Sequence, residues 1–358
     1  AARYEENRDA PLDEEPSFRP LQLAYRVSLR SSFCRLVYEL VSKNRLDSPP
    51  SLQGRHQLID PPLCSPSESA EVLADFAARL EALVGYCERI GTLPILIIPP
   101  ANEADYEPSR STLPATVPAE ERDRLVRMFA EARAAETTVP AQSQAVYREI
   151  LSRHPSFAEA HYRLGRLLLA ENRIDEAREH FSQALENDGL PIRCQAPFRE
   201  VYRQVVARHP GCVLIDGRAE LMRASPIGLL DDHVMEDTHH PNLKGHVELA
   251  GAVLRELMER GVLGSGLQLP LPLDPADCRD HFQLNAERLA NACERTSVHY
   301  ERVSGYRYDP TERQRKSRLF AEAARKLRAG AAPLESLVPG PRSLPRRTKD
   351  GERSERKD

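Results

Sequence analysis

Three histidines and an aspartate lie within the ten-residue stretch DTHHPNLKGH, residues 237–246. Asp237 precedes His240 by three residues, so in a turn its carboxylate can curl back and accept a hydrogen bond from one imidazole nitrogen. That bond would fix the tautomer and leave the other ring nitrogen free to act as a general base. The spacing therefore predicts a catalytic base, His240, that is oriented by an acid, Asp237.

The same stretch also offers side chains of the types that bind metals. Its histidines form no pair four residues apart on a helix, and Pro241 interrupts the local backbone, so we favour a site without a metal or other cofactor. A metal hydrolase stays an alternative, and so does a structural role in which His240 only packs beside Pro241. The potential metal ligands are His233, Asp237, His239, His240 and His246.

The hydrophobic pattern predicts the elements that would position this stretch. Residues 67–91 have apolar side chains at helical spacing, with Ser67 as the cap. The runs LPILIIPP at 93–100 and GCVLIDG at 211–217 are largely apolar, which is typical of strands covered on both faces of a parallel sheet. A helix at 196–210 precedes the second run. This alternation of helix and strand predicts an α/β fold.

The stretch leads into a helix predicted at residues 247–261. Pro241 suits the first turn of a helix, because the amide that proline lacks would be unpaired there in any case. Gly245 would allow this helix to approach the sheet closely. Two further helices are predicted at 276–303 and 310–329, after a Pro-rich segment.

Residues 158–191 resemble a tetratricopeptide repeat, which consists of two helices followed by a late proline, here Pro191. Leu164 and Gly165 match the positions at which the two helices touch closely. Residues 143–156 resemble the second helix of a preceding, degenerate repeat. Because such repeats bind peptides, the resemblance implies a protein or peptide partner. The packing positions of the second helix are Ala177, Phe181 and Ala184.

The D-x-x-H-P-N-x-x-G-H pattern of residues 237–246 resembles the last signature block of the SGNH (GDSL-type) hydrolases. Residues 95–111 and 188–194 resemble the fourth-strand exit and the end of the insert in members that carry tetratricopeptide repeats. The resemblance implies part of a flavodoxin-like, three-layer parallel sheet, interrupted by an all-α insert and followed by a helical extension. It also implies that His240 and Asp237 serve a nucleophilic serine in the hydrolysis of an ester substrate.

We find neither the Gly-Asp-Ser-type block that carries this family's nucleophile nor the block that carries an oxyanion-hole asparagine. We therefore expect both to lie upstream of residue 1, and the 358-residue chain alone to be inactive. Ser111 and Ser225 lack the sharp, Gly-flanked turn of a nucleophile. Asn102, at the end of a predicted strand, either contacts substrate or caps its loop. Arg193 either binds an anionic group or forms a salt bridge at the base of the insert.

Three classes of function stay open on these residues. The first is hydrolysis of an ester through an acyl-serine intermediate. The second is transfer of an acyl group onto a sugar or another alcohol, which would use the same serine, histidine and aspartate. The third is protein interaction through the tetratricopeptide helices, without catalysis.

Bulk properties argue against several other classes. A net charge of −4 gives no electrostatic reason to expect nucleic-acid binding, and no apolar run reaches the ~20 residues that a membrane helix needs. The seven cysteines form no CxxC pair, which argues against a disulfide framework. The predicted divisions are an irregular and helical part of a truncated core (1–66), sheet core (67–117), helical insert (118–191), sheet core (192–263), helical extension (264–335) and disordered tail (336–358).

Overall fold

The computed structural model describes residues 56–264 and 271–330. Helices hold 61% of these residues and strands 4%, so helix packing decides the architecture. The predictions made for residues 1–55 and for the tail at 336–358 lie outside the described residues. The elements are α1 (Pro66–Arg89), β1 (Ile95–Ile98), α2 (Ala119–Ala135), α3 (Pro140–Arg153), α4 (Ala158–Ala170), α5 (Ile174–Glu186), α6 (Ala196–Arg208), β2 (Val213–Asp216), α7 (Gly217–Ala224), α8 (Leu243–Glu259), α9 (Pro275–His281), α10 (Ala286–Ser304) and α11 (Thr311–Arg328).

The prediction of an α/β fold with a three-layer parallel sheet is wrong. In the described ranges the sheet consists of β1 and β2 alone, paired in parallel from Ile95 opposite Val213 to Ile98 opposite Asp216. Both strands come from the predicted apolar runs, and helices cover both faces, α1 and α6 on one and α8 on the other. A ribbon of two four-residue strands is nevertheless too small to form a layer, so the structure is mostly helical.

The apolar core of α2 to α5 comes from helix-on-helix packing. The hairpins α2–α3 and α4–α5 lie side by side, and Phe129, Phe157 and Phe181 are fully buried among them. A Cβ built on Gly165 would lie 3.0 Å from the Phe181 ring and 3.2 Å from the carbonyl oxygen of Ala177. The close helix contact predicted at Gly165 is therefore present.

Two helices begin at residues other than the predicted ones. Ser65, not Ser67, caps α1, since its Oγ accepts a hydrogen bond from the Glu68 amide. Asn242, not Pro241, precedes the first residue of α8, and its side-chain oxygen accepts from the Gly245 amide at 3.0 Å. In both cases a side-chain oxygen satisfies an amide that the helix leaves unpaired.

The C-terminal helices α10 and α11 form a hairpin with its own apolar core. The helix predicted at 276–303 is divided into α9 and α10, because Gln283 has a left-handed backbone (φ +52°) and Asn285 caps α10 with its side chain. The helix predicted at 310–329 is confirmed as α11.

Two simpler observations concern membranes and cysteines. Across residues 56–264 and 271–330, no helix combines the length and the apolar character that crossing a membrane requires. The cysteines of the same ranges are free thiols, and each is buried or half-buried: Cys64, Cys87, Cys194, Cys212, Cys278 and Cys293.

Gly245→Ala is expected to lower the free energy of unfolding by roughly 1–3 kcal/mol. A Cβ at this position would lie 2.3 Å from the carbonyl oxygen of Val234 and 2.8 Å from the Pro241 side chain, so the loop before α8 would have to move. The close approach made possible by Gly245 is thus to this loop and not to the sheet. Urea unfolding of the variant measures the loss.

Gly251→Ala, on the same helix, is the matched control. The nearest atom to a Cβ there is at 3.6 Å, at the flexible end of Arg255, and alanine favours a helix interior by about 0.5–1 kcal/mol. The control should therefore be as stable as the wild type or more so. Equal stability of the two alanine variants would contradict the close packing at Gly245.

Candidate functional site

Asp237 and His240 form a hydrogen-bonded pair in the loop before α8. His240 Nδ1 lies 2.7 Å from Asp237 Oδ2. The other carboxylate oxygen, Oδ1, accepts hydrogen bonds from the backbone amides of His239 and His240 at 3.1 and 2.9 Å. The turn itself therefore holds the carboxylate, and the structure brings together the two residues that the sequence spacing pairs.

The carboxylate of Asp237 determines which tautomer a neutral His240 ring adopts. Burial raises the pKa of Asp237, but hydrogen bonds from the side chain and backbone of His240 outweigh it, and the net pKa is lowered. An ionised carboxylate facing Nδ1 favours the tautomer with its proton on that nitrogen. Nε2 is then the free nitrogen, on a side chain that is 60% exposed. This arrangement suits a base that has to meet an incoming hydroxyl.

The loop that carries the pair is closed by backbone hydrogen bonds. The Glu236 amide donates to the His240 carbonyl at 2.8 Å, and Met235 bridges to Pro241. From outside the loop, the Asn102 amide donates to the Thr238 carbonyl at 2.9 Å. The geometry of the pair is thus set both by its own turn and by the segment that follows β1.

A further histidine of this site, His299, comes from α10. Its Nε2 lies 3.0 Å from Thr238 Oγ1 and 3.9 Å from Asp237 Oδ2. The ring centres of His239 and His240 are 4.1 Å apart, and that of His299 is 6.4 and 6.5 Å from them. Burial lowers the pKa of His239 and of His299, which favours neutral rings. Sequence reasoning missed His299, because only the packing of α10 brings it here.

Asn102 is buried beside this loop, with both ends of its side-chain amide in use. Its Nδ2 donates to Asp232 Oδ1 at 2.9 Å, and its Oδ1 accepts from the Asp105 amide at 3.0 Å. Lys316 of α11 donates to the same Asp232 oxygen at 2.8 Å. Burial of Asp232 raises the pKa of its carboxyl to about 6. Asn102 therefore holds its loop together, while its contact with a substrate stays a prediction.

The two serines that could replace the missing nucleophile have other partners. Ser111 Oγ accepts from the Glu159 amide at 2.9 Å, and Ser225 Oγ accepts from the Leu229 amide at 3.3 Å. Neither hydroxyl is hydrogen-bonded to His240 within the part of the chain that the structure describes.

Arg193 forms the salt bridge predicted at the base of the insert. Its Nη2 lies 3.1 Å from Asp188 Oδ2, and both side chains are only 2% exposed. Its Nη1 donates to the carbonyls of Asn102 and Tyr106 at 3.0 and 2.9 Å. The guanidinium therefore binds a carboxylate and carbonyls of the protein itself.

The potential metal ligands divide into two groups. Ligand atoms of Asp237, His239 and His240 all lie within 4.8 Å of one another. His233 instead pairs with a neighbouring aspartate, at 2.9 Å, and His246 lies in the first turns of α8. Three of the five residues named from the sequence thus converge.

A second candidate site is a groove of about 740 Å³ along α2, which we call the α2 groove. The α2 residues that line it recur every three or four positions, so they lie on one stripe of the helix. Residues 56–58 and the pair Tyr308 and Asp309 form the other walls. Val126 on the stripe is 39% exposed. The stripe consists of Val126, Phe129, Ala130, Arg133 and Ala134.

The neighbouring helix α4, in contrast, is covered by the chain itself. Tyr162 donates from its hydroxyl to the Ala104 carbonyl at 3.2 Å. Arg307 reaches Glu159 of α4 at 3.1 Å, and Tyr308 donates to the same carboxylate at 3.3 Å while lining the α2 groove. The α4 surface is therefore occupied, whereas Val126, Ala130 and Ala134 of the α2 stripe are exposed among residues 56–264 and 271–330.

Comparison with known proteins identifies the helical region. A family model described as a tetratricopeptide repeat matches residues 127–190, from within α2 to just past α5. Comparisons with curated proteins and with solved structures found no match. None of these findings supports membership of the SGNH hydrolase family. Residues 127–190 are a tetratricopeptide repeat region, as their resemblance implies.

Proposed function

We propose that the chain acts as a protein-interaction module through its tetratricopeptide helices. The observation that carries this proposal is the α2 groove, whose helical stripe lies almost wholly inside the matched residues 127–190. Helices of this repeat bind peptide segments of other proteins. The proposed partner is therefore a protein, bound through a short segment of its chain.

The lining of the α2 groove favours one chemistry in that segment. Its lining is mostly apolar, and Val126 and Ala130 of the helix are exposed there. Phe129, Leu58 and Tyr308 also line it, and the first two are almost wholly buried. Burial of apolar surface stabilises a complex by roughly 25 cal/mol per Å² before the costs of association. We infer that the bound segment presents a bulky apolar side chain to the apolar part of the stripe, because a charged one would lose part of its hydration against these carbon atoms.

Val126→Glu should weaken binding of such peptides on the order of tenfold or more, since it places a charge on the floor of the groove. Peptides selected by phage display against the wild-type chain provide the ligands. Fluorescence polarisation with labelled peptides then measures the dissociation constants. Val126 is partly exposed on α2, so the substitution leaves the helix core unchanged.

Val298→Glu is the control, because Val298 is 59% exposed on α10, away from the groove. It makes the same chemical change at a site where no binding is expected. The α2 groove is rejected as the partner site if the selected peptides bind the wild type, Val126→Glu and Val298→Glu equally. It is also rejected if the selection enriches no peptide with a bulky apolar residue.

A second function rests on a separate observation, the 2.7 Å bond between His240 and a buried Asp237. We propose that His240 acts as a general base in ester hydrolysis, or in acyl transfer, which differs only in the acceptor alcohol. It would take the proton of a nucleophilic hydroxyl through Nε2, while Asp237 stabilises the imidazolium. Because Ser111 and Ser225 are bonded elsewhere, the proposal places that hydroxyl in polypeptide outside the described residues.

His240→Ala should reduce turnover of p-nitrophenyl acetate by the full-length protein about 10²–10⁴-fold, the usual contribution of a general base. His246→Ala is the control, since His246 is exposed in α8 and lies outside the Asp237–His240 bond. Initial rates of p-nitrophenol release measure both. If the full-length protein hydrolyses the ester no faster than its His240→Ala variant, the catalytic proposal is wrong and the interaction function stands alone.

A further inference from the structure

We infer that Asp237, His239 and His240 form a binding site for a divalent transition-metal ion, with Zn²⁺ as the preferred occupant. The inference depends on neither proposed function, because it uses only the juxtaposition of one carboxylate with two imidazoles. Zn²⁺ sites with three protein ligands and an open fourth coordination position include sites formed by two histidines and one carboxylate. Hard ions such as Mg²⁺ and Ca²⁺ prefer oxygen ligands and suit this set poorly.

A small movement of the side chains would bring these three ligands to the spacing of a tetrahedral Zn²⁺ site. The three ligand atoms lie within 4.8 Å of one another. Two ligands on one tetrahedral Zn²⁺ are roughly 3.3–3.5 Å apart, given bonds of about 2.0–2.2 Å. His239 and His240 are both exposed, so their rings can turn by the remaining ångström without disturbing a packed core.

The carboxylate is the fixed point of the site. Asp237 is only 4% exposed, and its Oδ1 is anchored by the backbone amides of His239 and His240. Its Oδ2 faces His240 Nδ1 at 2.7 Å, so a metal entering there would replace a hydrogen bond. The imidazole keeps one proton, which moves from Nδ1 to Nε2, and no net proton is released.

Another imidazole, that of His299, lies beside the carboxylate but outside the group of converging ligand atoms. His299 Nε2 is 3.9 Å from Asp237 Oδ2 and is now bonded to Thr238 Oγ1. Water can complete a tetrahedron around Zn²⁺. With the metal on His240 Nδ1, the ring proton occupies Nε2 and that nitrogen has no free lone pair, so zinc should inhibit any reaction that uses His240 as a base.

Titration of the chelator-treated chain with ZnCl₂ by calorimetry tests the site, with Co²⁺ as a spectroscopic probe of ligand number and type. We expect micromolar binding and Co²⁺ d–d bands of a four- or five-coordinate site with nitrogen and oxygen ligands. His239→Ala, which removes one exposed ligand and leaves the Asp237–His240 bond, should weaken Zn²⁺ binding about tenfold or more. His246→Ala is the control and should bind as the wild type does.

Three results would overturn the inference. They are no Zn²⁺ binding by the wild type, equal binding by His239→Ala, or a cobalt–thiolate charge-transfer band, which would move the metal to a cysteine. Circular dichroism of each variant shows whether it has kept its helices. Peptide binding in the α2 groove should be unchanged by His239→Ala, so failure of the metal site can be told apart from failure of the interaction function.

Discussion

The buried segment 101–113 depends on charged side chains that reach it from distant parts of the chain. It has almost no regular secondary structure and yet is nearly all buried, so its carbonyls cannot be satisfied by a helix or sheet ladder and need other donors. Arginine, lysine and tyrosine side chains supply them. Arg193 donates to Asn102 and Tyr106, Lys316 to Asp105, Arg313 to Glu107, and Tyr162 to Ala104.

Carboxylates lie beside the arginine and lysine donors: Asp188 beside Arg193, Glu107 beside Arg313, and Asp232 beside Lys316. Arg313 is fully buried. Burial raises the pKa of Glu107, but the neighbouring Arg307 and Arg313 more than offset it, and the net pKa is lowered. Removing one partner of a buried ion pair costs about 3–5 kcal/mol, because the other charge is left without compensation. Loss of either arginine beside Glu107 is therefore expected to destabilise the segment.

The histidine loop and helix α4 of the tetratricopeptide region are both connected to this segment. The Asn102 amide binds the carbonyl of Thr238 in the histidine loop, and the Ala104 carbonyl accepts from Tyr162 of α4. Asp105 also pairs with Arg166 of α4, at 3.1 Å. Helix α4 and the histidine loop are thus fixed to the same irregular stretch of backbone, and loss of its ion pairs would disturb both of them.

Local spacing could be read from the sequence, whereas long-range packing could not. The Asp237–His240 bond joins residues three apart in a turn, and the contact of Gly165 with Phe181 follows from a repeat pattern, so both were predictable. The three-layer sheet was expected because residues 237–246 resemble a family that has one, but no pattern in the sequence supplied more than two strands. The position of His299 and the walls of the α2 groove depend on how α10 and the turn at Tyr308 pack, which one sequence does not specify.

The central claim is that a partner segment binds along the open stripe of a tetratricopeptide helix. Hydrogen–deuterium exchange of the chain with and without a selected peptide measures this directly, since ordering of a surface slows exchange of the amides beneath it. The account predicts added protection in α2, centred on residues 126–134, and in the wall around Tyr308. Protection confined to the histidine loop and α10, or no change along α2, would contradict it.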